Sequence, residues 1–210
     1  MFSTLRERLD FPGRNWLSLA FSLVLVDALA AIFWRNETPV ANYNPLLDLV
    51  QYCLLVLAVA MHGENALRAS RTSVNFVVHT GFMWLCCAFL LREIDIDRLG
   101  SDPAWTWAWA WLEIGVRSIA LAMLLVWLWV LAPKLRQMFA ARAVILSTPV
   151  AVLSILGGAF LVAGWPFDKN MFSFLSPGTS AFIEELLELN GYVLILAGSL
   201  ANRAKSGRAP

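Results

Sequence analysis

From Ala104 to Pro133 the chain reads AWTWAWAWLEIGVRSIALAMLLVWLWVLAP, an apolar run broken only by Glu113 and Arg117. A helix over residues 104–132 is roughly 43 Å long at ~1.5 Å per residue. That exceeds the ~30 Å hydrocarbon core of a bilayer, so both of its ends reach headgroup level. Trp105, Trp107, Trp109 and Trp111 mark one interface and Trp127 and Trp129 the other, because indole rings favour the boundary between water and acyl chains. Pro133 stops the helix, and Lys134 and Arg136 follow it into water. Glu113 and Arg117 stand four apart in the acid-first order, on one helical face. A charge inside the apolar zone is costly, so this pair is expected to face protein or a polar cavity.

One such run could be an anchor, but the whole chain has this character. Of its 210 residues 59% are hydrophobic, and the mean hydropathy is +0.65. A soluble domain of this size has too little interior to hide that much apolar surface, so the bilayer is the solvent. The net charge of +1 excludes nucleic acid as a partner, since no basic stripe is available to neutralise phosphates. Cys53, Cys86 and Cys87 all lie inside apolar segments without CxxC spacing, and they are read as small packing residues.

The fold class that follows is an all-α integral membrane protein, one transmembrane domain over residues 1–210 built as a bundle of six transmembrane helices. The spans are placed at residues 16–34, 46–66, 74–91, 104–132, 143–165 and 181–201. The first begins after Arg6, Arg8 and Arg14. Ala28-Leu29-Ala30 has the pattern of a signal-peptidase site, but the apolar run continues through Trp34, so the segment is expected to be retained. Asn36-Glu37-Thr38 forms a sequon disfavoured by Pro39 and read as chance. The fifth span contains Pro149, expected to kink it, and small residues four apart, Ser154/Gly158 and Ala159/Ala163, expected to let a neighbouring helix approach. Ser176-Pro177-Gly178-Thr179-Ser180 is a turn and helix-start signal before the sixth.

Basic residues orient the bundle. With six spans, Arg6, Arg8, Arg14, Arg68, Arg71, Lys134, Arg136, Arg142, Arg203, Lys205 and Arg208 fall on one side. Arg35, Arg92, Arg98 and Lys169 fall on the other. The positive-inside rule places both termini in the cytoplasm. The expected location is a bacterial inner (plasma) membrane.

This orientation gathers the acids into a layer. Asp27 lies seven residues before the outer end of the first span and Glu188 seven residues after the outer start of the sixth. Each is therefore roughly 10 Å below the outer helix ends. Glu113 is expected at a similar depth, with Arg117 one turn deeper. Asp27, Glu113, Arg117 and Glu188 are the expected ion- or substrate-binding site, because ionisable residues within membrane spans are functional candidates. Arg92, Glu93, Asp95, Asp97, Glu184 and Glu185 form its outer rim. The bland alternatives are a structural ion pair for Glu113 and Arg117, a solvated loop for residues 92–97, and helix-dipole complementation for Glu184 and Glu185.

Carboxylates around one arginine could hold a proton or cation and alternate its access. The reading adopted is ion- or proton-linked transport, or an accessory role in a membrane complex. One alternative is a membrane-embedded enzyme on a lipid or envelope precursor, with two carboxylates as acid and base; HExxH and GxSxG motifs are lacking. The other is b-haem electron transfer. His62 and His79 flank a short turn expected on the cytoplasmic side, and Gly63 could admit a flat ligand beside them. Ordinary, hydrogen-bonded histidines are expected instead, so the sequence implies no cofactor and no metal. The expected partners are the lipid bilayer and a second membrane protein or another copy of this chain.

Overall fold

A computed structural model of the chain describes residues 13–36, 45–71, 73–93, 106–140, 142 and 148–201. Among them every regular element is helical. The six long helices are α1 (Gly13–Asn36), α2 (Pro45–Arg68), α3 (Val74–Glu93), α4 (Thr106–Leu131), α6 (Pro149–Asp168) and α7 (Pro177–Ala201). A 3₁₀ turn (Ala132–Lys134) and a short helix α5 (Leu135–Ala140) follow α4. Three stretches, Leu46–Arg68, Trp107–Lys134 and Pro149–Asp168, are long and apolar enough to cross a membrane. They are consistent with an integral membrane protein.

Local chemistry explains the helix ends. Pro133 lacks a backbone N–H and cannot continue the α4 ladder, so the helix tightens into the 3₁₀ turn after Leu131. Ser73 Oγ accepts from Phe76 N at 3.2 Å and caps α3 after the short turn that follows α2. Ser176 Oγ accepts from Thr179 N at 3.2 Å, and Pro177 opens α7 four residues earlier than expected. The kink expected at Pro149 does not occur. Thr148 is the N-cap, its Oγ1 accepting from Ala151 N at 3.3 Å, and Pro149 occupies the first turn of α6, where its missing N–H costs nothing. The proline inside α6 is Pro166, in its last turn.

The chain divides into two compact units, Met1–Leu54 with Ala141–Pro210, and Leu55–Ala140. In the first, α7 is the central helix and is buried chiefly from Glu188 onwards. Leu19 of α1 packs with Val193 and Leu194 of α7 and with Leu153 of α6. Ala30 packs with Leu47 and Leu189, and the Trp34 and Phe182 rings meet at 5.3 Å. Residue numbers rise along α1 as they fall along α7, so the two helices are antiparallel. The α6–α7 contact is closer still, because glycines face each other. A Cβ on Gly157 would lie 2.7 Å from the Gly191 carbonyl oxygen, and one on Gly191 would lie 2.9 Å from that of Gly157.

The small residues that face α7 are Ser154, Gly157 and Gly164. Gly158 has open space where a Cβ would be, and Ala159 and Ala163 are exposed. Ser154 thus faces α7 as expected, while the facing glycines are Gly157 and Gly164 in place of Gly158 and Ala163. Apolar side chains surround α6 on all sides, so its sequence carries no amphipathic signal to choose a face.

In the second unit, α3 and α4 pack where the Trp127 indole lies directly over Gly81, in the space a side chain would fill. Val78, Phe82, Leu85 and Leu131 complete this apolar contact.

Candidate functional site

Each unit holds its own buried polar groups. In the first, Asp27 sits midway along α1, half-buried. Its Oδ1 accepts from Asn190 Nδ2 of α7 at 2.6 Å, and the same Nδ2 donates to the Leu186 carbonyl at 2.8 Å. A backbone carbonyl can only accept, so Leu186 fixes which end of the Asn190 amide is the nitrogen. The second N–H must then point at Asp27. One turn from Asp27 towards the start of α7, Gln51 Nε2 of α2 donates to Glu185 Oε2 at 2.6 Å. Gln51 is only 1% exposed.

Glu188 is buried as well, at 6% exposure. Its Cγ lies against Gly164 of α6, 3.8 Å from where a Cβ would be. Asn190 and Glu188 are two residues apart, about 3 Å along the axis but roughly 200° around it. The antiparallel pairing therefore brings Asp27 and Glu188 to nearly one depth. It also sets their attachment points on different faces of α7, Asp27 towards the Asn190 face and Glu188 towards α6. An apolar cleft of about 390 Å³ between α1, α2 and α7 is lined by Ser22, Val26, Leu54 and Ala197 among others, and by none of these acids.

In the second unit, Arg117 and Glu113 form a direct ion pair along α4. The Glu113 side chain is largely covered while that of Arg117 is 70% exposed. Two further groups meet across the α2–α3 hairpin. His62 Nδ1 and His79 Nδ1 are 2.9 Å apart, in a hydrogen bond whose donor depends on the tautomers. The rings are 0% and 2% exposed, and His62 stacks on Phe82 with centroids 5.2 Å apart. Gly63, expected to leave room for a flat ligand, instead has the Met83 sulfur packed on it, 3.3 Å from where a Cβ would be. A haem would have to displace both Phe82 and Met83.

No family model, curated protein or solved structure matches this chain.

Of the four expected site residues, Asp27 and Glu188 belong to the first unit and Glu113 and Arg117 to the second. Among the rim residues, Glu184 and Glu185 are half-buried in the third turn of α7. Arg92 and Glu93 end α3, their side chains lying outside the described residues, as do Asp95 and Asp97. Sequence reasoning missed Gln51 and Asn190. Their signal was present: amides inside apolar helices seek partners for the same reason charges do. Among the described residues, no three of His, Cys, Asp and Glu gather as metal ligands.

Chemically, the first unit holds carboxylates against amide donors. Within the apolar stretches of its helices the charges are one-sided: Asp27, Asp48, Glu184, Glu185 and Glu188 lie in α1, the first half of α2 and α7, while Arg14 and Arg35 stand at the two ends of α1. Lys and Arg do not occur within residues 16–34, 45–54, 149–168 or 177–201.

Proposed function

We propose that the protein is a six-span bundle of a bacterial inner (plasma) membrane, both termini cytoplasmic, that carries out ion- or proton-linked transport through the carboxylates of its first unit. The observation that carries this reading is the Asp27–Asn190 contact within apolar segments, residues 16–34 and 177–201, whose charged residues are all acidic. Several carboxylates in a low-dielectric layer, with no basic residue in the same segments, cannot all be charged at acceptable cost. Holding a proton or drawing a cation relieves that cost. The fixed Asn190 N–H occupies one Asp27 oxygen and presents a positive dipole, which disfavours a metal cation there and suits a carboxyl group that gains and loses a proton on its other oxygen. Glu185 is held by Gln51 in the same way, and Glu188 extends the layer to the α6 side.

Purified protein reconstituted in liposomes with an entrapped pH dye tests this. The wild type should dissipate an imposed pH gradient. Asp27→Asn and Glu188→Gln should insert and fold but slow the flux by an order of magnitude or more. A wild type no faster than empty liposomes, or variants as fast as wild type, would sink the reading.

An accessory role in a membrane complex is the second reading, favoured by α4. Much of that helix is exposed, including Trp107, Trp111 and Trp129 and the Arg117 guanidinium. A partner helix with a carboxylate at that depth would cover a charge that lipid tolerates poorly. Mild-detergent purification followed by native mass spectrometry would reveal a stoichiometric second subunit in that case and a lone chain in the first.

A further inference from the structure

The histidine pair takes no part in the transport reading and is built unlike a solvated pair. We propose that His62 and His79 bind a single soft monovalent d10 metal ion, copper(I) being the biological example, with the Met83 thioether as third donor.

The geometry points to this in four steps. Both imidazoles are essentially inaccessible, and their Nδ1 atoms face each other at 2.9 Å. In the hydrogen-bonded pair, one Nδ1–H points at the lone pair of the other ring. Moving that proton to Nε2 of the same ring leaves two neutral imidazoles with both Nδ1 lone pairs directed at one point, and no proton is lost or gained.

Next comes the size of the gap. Two ~2.0 Å metal–imidazole bonds set about 120° apart put the nitrogens about 3.5 Å from each other. The Nδ1 atoms must part by only about half an ångström from their present 2.9 Å.

The third donor follows from helix periodicity. Met83 is one turn beyond His79 on α3, hence on the same face. Its sulfur already packs across the hairpin on Gly63, the residue after His62. A thioether is a soft ligand, and together with imidazole it favours copper(I) over hard cations.

Fourth, the choice of charge is set by what the site lacks. Among the described residues, no third His, Cys, Asp or Glu joins the two histidines within reach of one ion. Two or three neutral donors do not satisfy zinc(II), which takes four ligands. They would also leave its double charge uncompensated in a buried site. A monovalent ion content with two or three ligands brings no more charge than one extra proton on the pair.

The test uses the full chain, purified in detergent under anaerobic, reducing conditions and titrated with copper(I) against a chromogenic copper(I) chelator. One equivalent should bind per chain. X-ray absorption should show two imidazole nitrogens and one sulfur in the first shell, the sulfur disappearing in Met83→Leu. His62→Gln and His79→Gln should each weaken binding by more than about 100-fold, because loss of a ligand exceeds the ~10–100-fold effect of losing an outer-shell partner. A first shell of sulfur alone would place the ion on Cys53, Cys86 or Cys87 and overturn the proposal. So would the absence of binding, or zinc(II) competing at equal concentration. The wild-type spectrum decides the matter even if both histidine variants misfold.

Discussion

The Asp27–Asn190 contact is a case where one backbone atom determines the polarity of a side-chain pair. The Leu186 carbonyl holds the Asn190 amide in one orientation, so the carboxylate meets a donor whatever its protonation state. Asn190→Leu removes that donor and should lower stability by about 1–3 kcal/mol, the cost of an unmet buried polar group, measured by thermal unfolding in detergent. The double variant Asp27→Leu with Asn190→Leu should regain most of the loss, because two apolar groups leave nothing unsatisfied. A single variant as stable as wild type would mean that Asp27 finds water. At this scale the sequence was informative about which residues matter and silent about how they pair. Asp27, Glu185 and Glu188 stand out because charges are rare in apolar runs. Their partners Gln51 and Asn190 are less conspicuous, and nothing in a uniformly apolar helix tells which face an amide occupies.

Between whole helices the controlling feature is glycine, and its register was the least legible part of the fold. An amphipathic helix of a soluble protein reveals its inward face by polar residues on the other side. In a membrane-spanning helix both faces are apolar, so Gly157 and Gly158 look equivalent in sequence. Their surroundings separate them. Gly157→Ala or Gly191→Ala drives a methyl into the facing carbonyl and should cost about 1–3 kcal/mol by overpacking. Gly158→Ala meets open space and should stabilise α6 by about 0.5–1 kcal/mol through helix propensity. Opposite signs at adjacent positions are the result to look for; equal effects would mean that α6 packs through another face. On α4 the acid-first spacing of Glu113 and Arg117 was enough to anticipate their pairing, while the exposure of Arg117 was not visible from it. Because Arg117 is open and Glu113 is covered, the two single variants should differ. Glu113→Gln leaves an arginine facing lipid without its counter-charge and should lower the yield of folded, inserted protein. Arg117→Gln should be milder, and the double variant should match or exceed wild type. If both single variants equal wild type in yield and thermal midpoint, the guanidinium reaches the headgroups and the pair is incidental.

For the molecule as a whole, helical class and membrane character were plain from composition and run length, because no other solvent accommodates such a chain. The proposed sidedness rests on charge counting, and the pairing of helix ends in the first unit bears on how it is tested. Leu19 near the start of α1 packs beside Val193 and Leu194 in the second half of α7, while Trp34 at the other end of α1 meets Phe182 near the start of α7. The beginning of α1 and the end of α7 therefore lie at one end of this unit. Arg14 lies in the first turn of α1, Arg6 and Arg8 come before it in sequence, and Arg203, Lys205 and Arg208 come after α7. Translocating either flank against the membrane potential would carry its charges the unfavourable way, and each reinforces the orientation the other dictates. Reporter fusions after Arg136 and after Arg208 should thus report cytoplasm, and fusions at Asn42, Gly100 and Lys169 the opposite compartment. Moving basic residues should be the sensitive perturbation. Neutralising Arg6, Arg8 and Arg14 alone should leave the reporters unchanged, since the carboxyl-terminal cluster still holds the bundle. Neutralising both clusters should produce mixed topology. A carboxyl-terminal fusion found outside in the wild type would, given that pairing, put both clusters outside, place Asp27 and Glu188 in the inner half of the bilayer, and remove the outward-facing acid layer on which the transport reading depends.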